Sequence, residues 1–197
     1  MILYCATSNP GKLREFRGAA GPGWEIEPLP ELEDIEPPEE PGDTFADNAI
    51  HKAKYYARFA HEVPVFAEDS GIEVDALGGA PGVYSARFAG PDATDTANNL
   101  LLLERLDGSA DRKARYVSVI ALILPGQAPR TFRGTVEGEI LLKPRGSGGF
   151  GYDPLFFYPP FEATFAEVPA EKKLSVSHRG VATAKMMEFL GDGAEFV

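Results

Sequence analysis

One cysteine, Cys5, is present in a chain of 197 residues. A lone thiol excludes an internal disulfide and a cysteine-based zinc site. Positive charge is also scarce: 19 Lys and Arg stand against 30 Asp and Glu, a formal net charge of −11. Nucleic acid and anionic lipid both need a basic face, so neither is expected as a partner. A small anion remains possible where a few cations gather in a cleft. No stretch approaches the ~18 apolar residues of a membrane span. The opening Met-Ile-Leu-Tyr-Cys-Ala-Thr has no basic n-region and no long apolar run of the kind a signal peptide carries. The expectation is a soluble, cytoplasmic protein.

What is present is ordinary globular composition, 44% hydrophobic and 25% charged. The length suits one domain over residues 1–197. Folding such a chain removes roughly 70% of its unfolded surface from water.

Ile2 to Ala6 reads as a buried first strand, and Leu13 to Ala20 as a helix. Trp24 to Pro28 is a weak second strand. Residues 25–47 hold ten acids, no Lys or Arg, and five prolines, which forbid a regular helix through most of the stretch. The bare charge run reads as a solvated acidic loop. Thr44 with Asp47 resembles a capping box, opening a helix to about Ala60 with Phe45, Ala49, Ala53, Tyr56 and Ala60 on its apolar stripe. Lys52 falls on or beside that stripe, so its ammonium either snorkels out or meets an anion. Val63 to Ala67 is a strand followed by Glu68-Asp69-Ser70-Gly71, and residues 78–90 read as a loop. Asp92 to Asp95 opens a helix running to Leu106. Arg115 to Leu124 and Thr131 to Leu142 form a hairpin pair. A glycine loop at 146–153 and a last helix from about Gly180 to Leu190 complete the chain. Strands alternate with helices first, and antiparallel strands dominate later. The fold class is therefore α/β, a mixed sheet with flanking helices.

Four places carry possible chemistry. The turn after the first strand, with Thr7, Ser8, Asn9, Pro10, Gly11 and Lys12, offers donors and a cation at a helix start, which suits a phosphate. It lacks the spacing of a Walker A loop, and a well-capped structural turn is the alternative. Glu68 and Asp69 are adjacent carboxylates that could hold a hard cation such as Mg²⁺, although neighbours in a strand face opposite ways. A turn-forming Asp is the alternative there. In the glycine loop, Phe150 or Tyr152 could stack on a base and Asp153 could accept a hydrogen bond, where a hairpin tip is the plainer reading. Lys173, His178 and Arg179 crowd positive charge before a helix start, against the helix dipole unless an anion is near.

Six segments in this order resemble the inosine/xanthosine triphosphate pyrophosphatase family, the non-standard purine nucleotide pyrophosphatases. They are Thr-Ser-Asn-Pro-Gly-Lys at 7–12, Thr-Phe-Ala-Asp-Asn-Ala-Ile-His-Lys-Ala at 44–53, and Glu-Asp-Ser-Gly at 68–71. Leu-Gly-Gly-Ala-Pro-Gly-Val-Tyr-Ser-Ala-Arg-Phe at 77–88, Gly-Gly-Phe-Gly-Tyr-Asp-Pro at 148–154 and Ser-His-Arg-Gly at 177–180 follow. The resemblance implies hydrolysis of ITP, dITP and XTP to the monophosphate and pyrophosphate. It implies Mg²⁺, a homodimer, and an elongated two-lobed single domain with a central substrate cleft. It also implies roles. Thr7 to Lys12 and Lys52 would hold the triphosphate, and Asp69 would be both catalytic carboxylate and metal ligand. Glu39 would be the second metal carboxylate, with Glu40 its competitor. Ser70 would touch substrate, Phe150, Gly151, Tyr152 and Asp153 would form the base pocket, Lys173 would reach the nucleotide, and His178 and Arg179 would lie near the base edge. One departure is visible: Asp47 stands where the family has Glu, one methylene longer. Rival readings are another nucleotide pyrophosphatase, a nucleotide-binding module without catalysis, and a glycosidase with paired carboxylates.

Overall fold

The computed structural model describes residues 1–191. Its strands form one seven-stranded sheet in the order β2-β1-β3-β4-β5-β6-β7. β1 (Ile2–Cys5) pairs in parallel with both β2 (Glu25–Pro28) and β3 (Val65–Val74). β4 (Lys113–Ile123) and β5 (Arg130–Ile140) are neighbours. β6 (Phe156–Tyr158) runs antiparallel to β5 and to β7 (Ala163–Thr164). The sheet is thus mixed, parallel where βα connections supply it and antiparallel later, and helices flank it.

The helices start where the sequence provides caps. α1 (Pro10–Gly18) begins with Pro at its first position, where no N–H is needed. Asn9 caps it by accepting from the Gly11 and Lys12 N–H groups at 2.8 and 3.1 Å. α2 (Phe45–Ala57) is capped by Thr44, whose Oγ1 accepts from the Asp47 N–H at 3.1 Å. The Thr44 hydroxyl also donates to Asp47 Oδ2 at 2.7 Å. The shorter Asp47 therefore closes the box through the cap hydroxyl. α3 (Asp95–Arg105) is capped by Thr94 in the same way, at 3.2 Å from the Ala97 N–H. α4 (Ala170–Leu174) is a single turn, and α5 is His178–Gly191.

The strand expected to end at Ala67 instead continues through Glu68, Asp69, Ser70 and Gly71 to Val74. Gly71 makes this possible. A Cβ there would lie 2.3 Å from Ser85 Oγ and 2.4 Å from the Gly82 carbonyl oxygen. The Ser85 hydroxyl also accepts from the Ile72 N–H at 2.9 Å. The loop expected over 78–90 contains a 3₁₀ turn at Gly82–Arg87.

The chain divides into two compact units. One comprises Met1–Asp69, Ser118–Gly134 and the chain from His178. Its core includes Leu3, Phe16, Ile26, Phe66, Ile120, Leu122 and Met186. The other comprises Ser70–Val117 and Thr135–Ser177, with Ile72, Leu102, Leu106, Tyr116, Phe156 and Phe165 in its core. Each large apolar side chain so buried contributes about 1.5–3 kcal/mol. Among the described residues no helix is long and apolar enough to cross a membrane.

Candidate active site

In the first unit the chemistry is organised by β3. Alternation along a strand sends adjacent side chains to opposite faces, and Glu68 and Asp69 have separate partners. Glu68 Oε2 lies 2.8 Å from Lys12 Nζ, and Glu68 Oε1 lies 3.0 Å from Arg179 Nη2. The Ser118 hydroxyl donates to Glu68 Oε1 at 2.8 Å. Arg179 Nη1 also meets Glu15, and the guanidinium lies over the Phe16 ring at 5.7 Å. Lys12, Glu68, Arg179 and Glu15 thus form a chain of alternating charge beneath the start of α1. Burial alone would raise the Glu68 carboxyl, but Arg179 and then Lys12 outweigh it and hold the group well below the usual carboxylate range.

Asp69 faces α2. Lys52 Nζ donates to Asp69 Oδ1 at 2.9 Å and to Glu40 Oε1 at 3.0 Å. Lys52 therefore meets anions, the second of the two possibilities its place on the helix allowed. Burial would lower the Lys52 ammonium, and Asp69 and Glu40 together outweigh it and raise it. Asp69 is 5% exposed, and burial raises its carboxyl above the usual range, with Lys52 partly opposing. The result is a buried carboxylate of enhanced basicity beside one ammonium.

The acidic loop reaches this group through Glu40, whereas Glu39 beside it is exposed. Two oxygen ligands on neighbouring carboxylates suit Mg²⁺, which usually takes one or two protein carboxylates and completes its shell with water and phosphate oxygens. Among the described residues no group of three or more His, Cys, Asp or Glu side chains is arranged as a metal cage. An all-protein site is therefore not what these residues fit; Asp69 and Glu40 would supply two oxygen ligands to a shared one.

The Thr7–Lys12 segment leads into α1, which begins at Pro10, three residues before the expected start at Leu13, because Asn9 caps it. Ser8 and Asn9 are exposed, and Asn9 N–H donates to Thr7 Oγ1 at 3.3 Å. The Gly11 and Lys12 N–H groups already bond to Asn9 Oδ1, so a phosphate there would compete with the cap. Lys12 is the cation of this turn. His178 and Arg179 begin α5 and are buried. The Arg179 guanidinium pairs with Glu68 and Glu15.

The second unit holds a different group. Asp153 and Lys173 form a buried pair at 2.5 Å, with side chains 2% and 5% exposed. Asp153 also accepts from the Tyr116 hydroxyl at 3.2 Å and from the Phe150 N–H at 3.0 Å. Gly149 makes that last contact possible: its φ is +69°, and a Cβ would lie 2.1 Å from Asp153 Oδ2. Phe150 is half-buried, with Lys173 Nζ 4.8 Å from its ring centre. Tyr152 is buried and donates its hydroxyl to the Ser85 carbonyl at 2.7 Å. Gly151 is held between Asp95 and Asn99 of α3. Ser70 is half-buried in β3.

Sequence reasoning missed Asn48, Glu15, Ser118 and Tyr116. Asn48 was findable, because it falls on the apolar stripe of α2. Ser118 was findable as the one small hydroxyl side chain inside the apolar run of β4. Glu15 and Tyr116 carried no local signal.

This geometry has close relatives. The model of the Ham1 family matches residues 3–189. A dITP/XTP pyrophosphatase of an Exiguobacterium species is 50% identical over 188 residues, covering 94% of this chain and 95% of that protein. The structure of the Staphylococcus aureus Ham1 protein superimposes with a TM-score of 0.87 at 40% identity, covering 98% of this chain and 99% of that one. A Coxiella burnetii HAM1 structure gives 0.88 at 37% identity, covering 98% and 100%. A family model spanning nearly the whole chain, carried by relatives at half identity and by near-complete structural overlap, makes this chain a member of the Ham1 family.

Proposed function

We propose that the protein is a Mg²⁺-dependent nucleoside triphosphate pyrophosphohydrolase acting on non-standard purine nucleotides, dITP, ITP and XTP. The reaction is NTP plus water giving NMP and pyrophosphate. The observation that carries this reading is Asp69, a buried carboxylate of raised basicity held by Lys52, which also holds Glu40. The similarity to a protein named dITP/XTP pyrophosphatase supports the choice of substrate.

Asp69 accepts the proton of the water that attacks the α-phosphorus, within the range of general-base catalysis. The bond that breaks joins the α-phosphorus to the oxygen bridging to the β-phosphorus, and pyrophosphate leaves with that oxygen. Mg²⁺ held by Asp69 and Glu40 (Glu39 being the exposed alternative) would neutralise phosphate charge and polarise oxygen. Lys12 and Lys52 supply the remaining positive charge to the triphosphate and to the departing pyrophosphate. In the structure both already bond to carboxylates, which fixes their ammonium groups before substrate arrives.

Phe150 supplies the stacking face for the base, and Asp153, Lys173 and Gly151 shape that pocket. His178 is assigned to the 6-oxo edge of the purine. A donor there matches hypoxanthine and xanthine and is left unpaired by adenine. Arg179 is assigned a positioning role through Glu68. The same reading gives one functional domain that works as a homodimer in the cytoplasm; light scattering on the purified protein tests the dimer. Turnover of dITP, XTP and ATP with and without Mg²⁺ tests the activity.

A further inference from the structure

Asn48 is fully buried in α2, on the stripe that also buries Phe45, Ala49 and Ala53. A buried amide is costly unless both of its ends are bonded. Here both are. Oδ1 accepts the Gly42 N–H at 2.8 Å, and Nδ2 donates to Asp69 Oδ2 at 3.3 Å. The amide's orientation follows from its partners, since a backbone N–H only donates and a carboxylate only accepts.

One helical turn further on, Lys52 repeats the pattern. It bonds to the other oxygen of Asp69, Oδ1, and to Glu40, two residues before Gly42. The residues at i and i+4 of one helix face therefore tie down the same two elements, the Asp69 carboxylate and the end of the acidic loop. Gly42 shows how close the loop comes. A Cβ there would lie 2.7 Å from Asn48 Oδ1 and 2.8 Å from Asp47 Cβ. Both neighbours belong to the first turn of a capped helix, so neither can retreat cheaply.

We propose that Asn48 is a positioning residue for the hydrolytic reaction. It locks the second oxygen of Asp69, so the carboxylate cannot rotate about its last side-chain bond. The same amide clamps the loop that carries Glu40 against α2, so that both carboxylates are presented in fixed relation to Lys52. This rests on the reading of Asp69 as the catalytic carboxylate.

The test compares Asn48→Asp, Asn48→Ala, Gly42→Ala and Asp69→Asn with the parent. The readouts are kcat and KM for dITP at saturating Mg²⁺, thermal midpoint, and hydrogen exchange of the peptide containing the Gly42 amide. Asn48→Asp keeps an acceptor for Gly42 and removes the donor to Asp69. Its kcat should fall on the order of 10–100-fold, the usual cost of losing a group that orients a metal-site ligand. Its KM should change less than about threefold, and the Gly42 amide should stay protected. Asn48→Ala should lose kcat and also exchange Gly42 rapidly. Gly42→Ala leaves Asn48 in place but pushes the loop away, and should lower kcat with faster exchange around it.

A folded Asn48→Asp enzyme with kcat within about twofold of the parent overturns the proposal. If Asn48→Asp does not fold, Gly42→Ala decides: unchanged kcat and unchanged exchange overturn it. If Asp69→Asn is inactive while the Asn48 variants are unimpaired, only the positioning role fails. If Asp69→Asn remains fully active, the reading of Asp69 and the proposal fall together.

Discussion

Glu68 and Asp69 are neighbours in β3, yet each carboxylate has its own lysine, Lys12 at 2.8 Å from Glu68 and Lys52 at 2.9 Å from Asp69. The pleat of the strand separates them. Glu68 closes a buried network with Arg179, Ser118 and Lys12, and its charge is matched on every side. Asp69 has one cation, one amide, and a carboxyl that burial pushes upward. The first arrangement ties several elements together, and the second is the one to which the proposed function assigns the proton of the attacking water.

Asp69→Asn is therefore expected to abolish most turnover and leave the fold intact. Loss of a general base costs about 10²–10⁴ in rate. Glu68→Gln should cost stability above all, because it removes one of the two carboxylates paired with the buried Arg179 guanidinium and leaves Glu15 alone to hold it. Breaking one member of a buried pair costs about 3–5 kcal/mol. Steady-state kinetics and urea denaturation of the two variants, run side by side, check the contrast. Equal losses of stability in both would contradict it.

Glu68 also sets an acid limit. Burial opposes its ionisation, but Arg179 and Lys12 prevail and hold its folded-state carboxyl below the ordinary 4.5. The unfolded chain then binds the proton more readily, so stability rises with pH across this window. The Glu68 contribution is fully present above about pH 4.5 and is lost as pH falls below it towards the folded-state value. Denaturation in EDTA at a series of pH values should show the gap between parent and Glu68→Gln widest near neutrality and shrinking in acid. A gap constant with pH would contradict this.

The Lys173–Asp153 pair makes a similar demand in the second unit. Lys173→Met removes the cation bonded to Asp153 in a site where that carboxylate is 1% exposed. A loss of about 3–5 kcal/mol is expected. Combining it with Asp153→Asn should recover much of that loss, since the two positions share one interaction. Chemical denaturation of the two singles and the double variant measures the coupling, and strict additivity would contradict it.

Phe150→Leu removes the ring but keeps the bulk. If that ring stacks on the base, kcat/KM for dITP should drop by a factor matching about 1–3 kcal/mol. Phe150→Trp should retain most of the rate. Competition kinetics between dITP and dGTP on both variants would report any change in base choice.

Four of the helices and most strands were legible because local rules decided them; the single-turn α4 and the short β6 and β7 were not. Asn9, Thr44 and Thr94 are cap residues, and each caps the helix it precedes. The extension of β3 past Asp69 was not legible, because Asp-Ser-Gly is local turn chemistry. What overrides it is a distant contact, Gly71 packed against Ser85 and the Gly82 carbonyl. The buried, period-two Ile72 and Val74 were the available clue. Lys12, Lys52 and Asp69 could be picked out from spacing and resemblance. The burial of Arg179 could not, since it depends on Glu15, 164 positions away, and on Glu68, 111 away. Lys173 is buried for the same kind of reason: Asp153, twenty positions earlier, supplies its counter-charge. Glu40 is favoured over Glu39 at Lys52 because of the loop's approach to α2, which Gly42 permits and composition cannot reveal.

The most direct measurement is pyrophosphate release from dITP, XTP, GTP and ATP by the parent and by Asp69→Asn, with Mg²⁺ and with EDTA. Rapid release from dITP and XTP, weak release from ATP, and loss of all release in EDTA and in Asp69→Asn is the predicted result. Release that survives EDTA or the Asp69→Asn substitution, or that is equal across the four nucleotides, would contradict it.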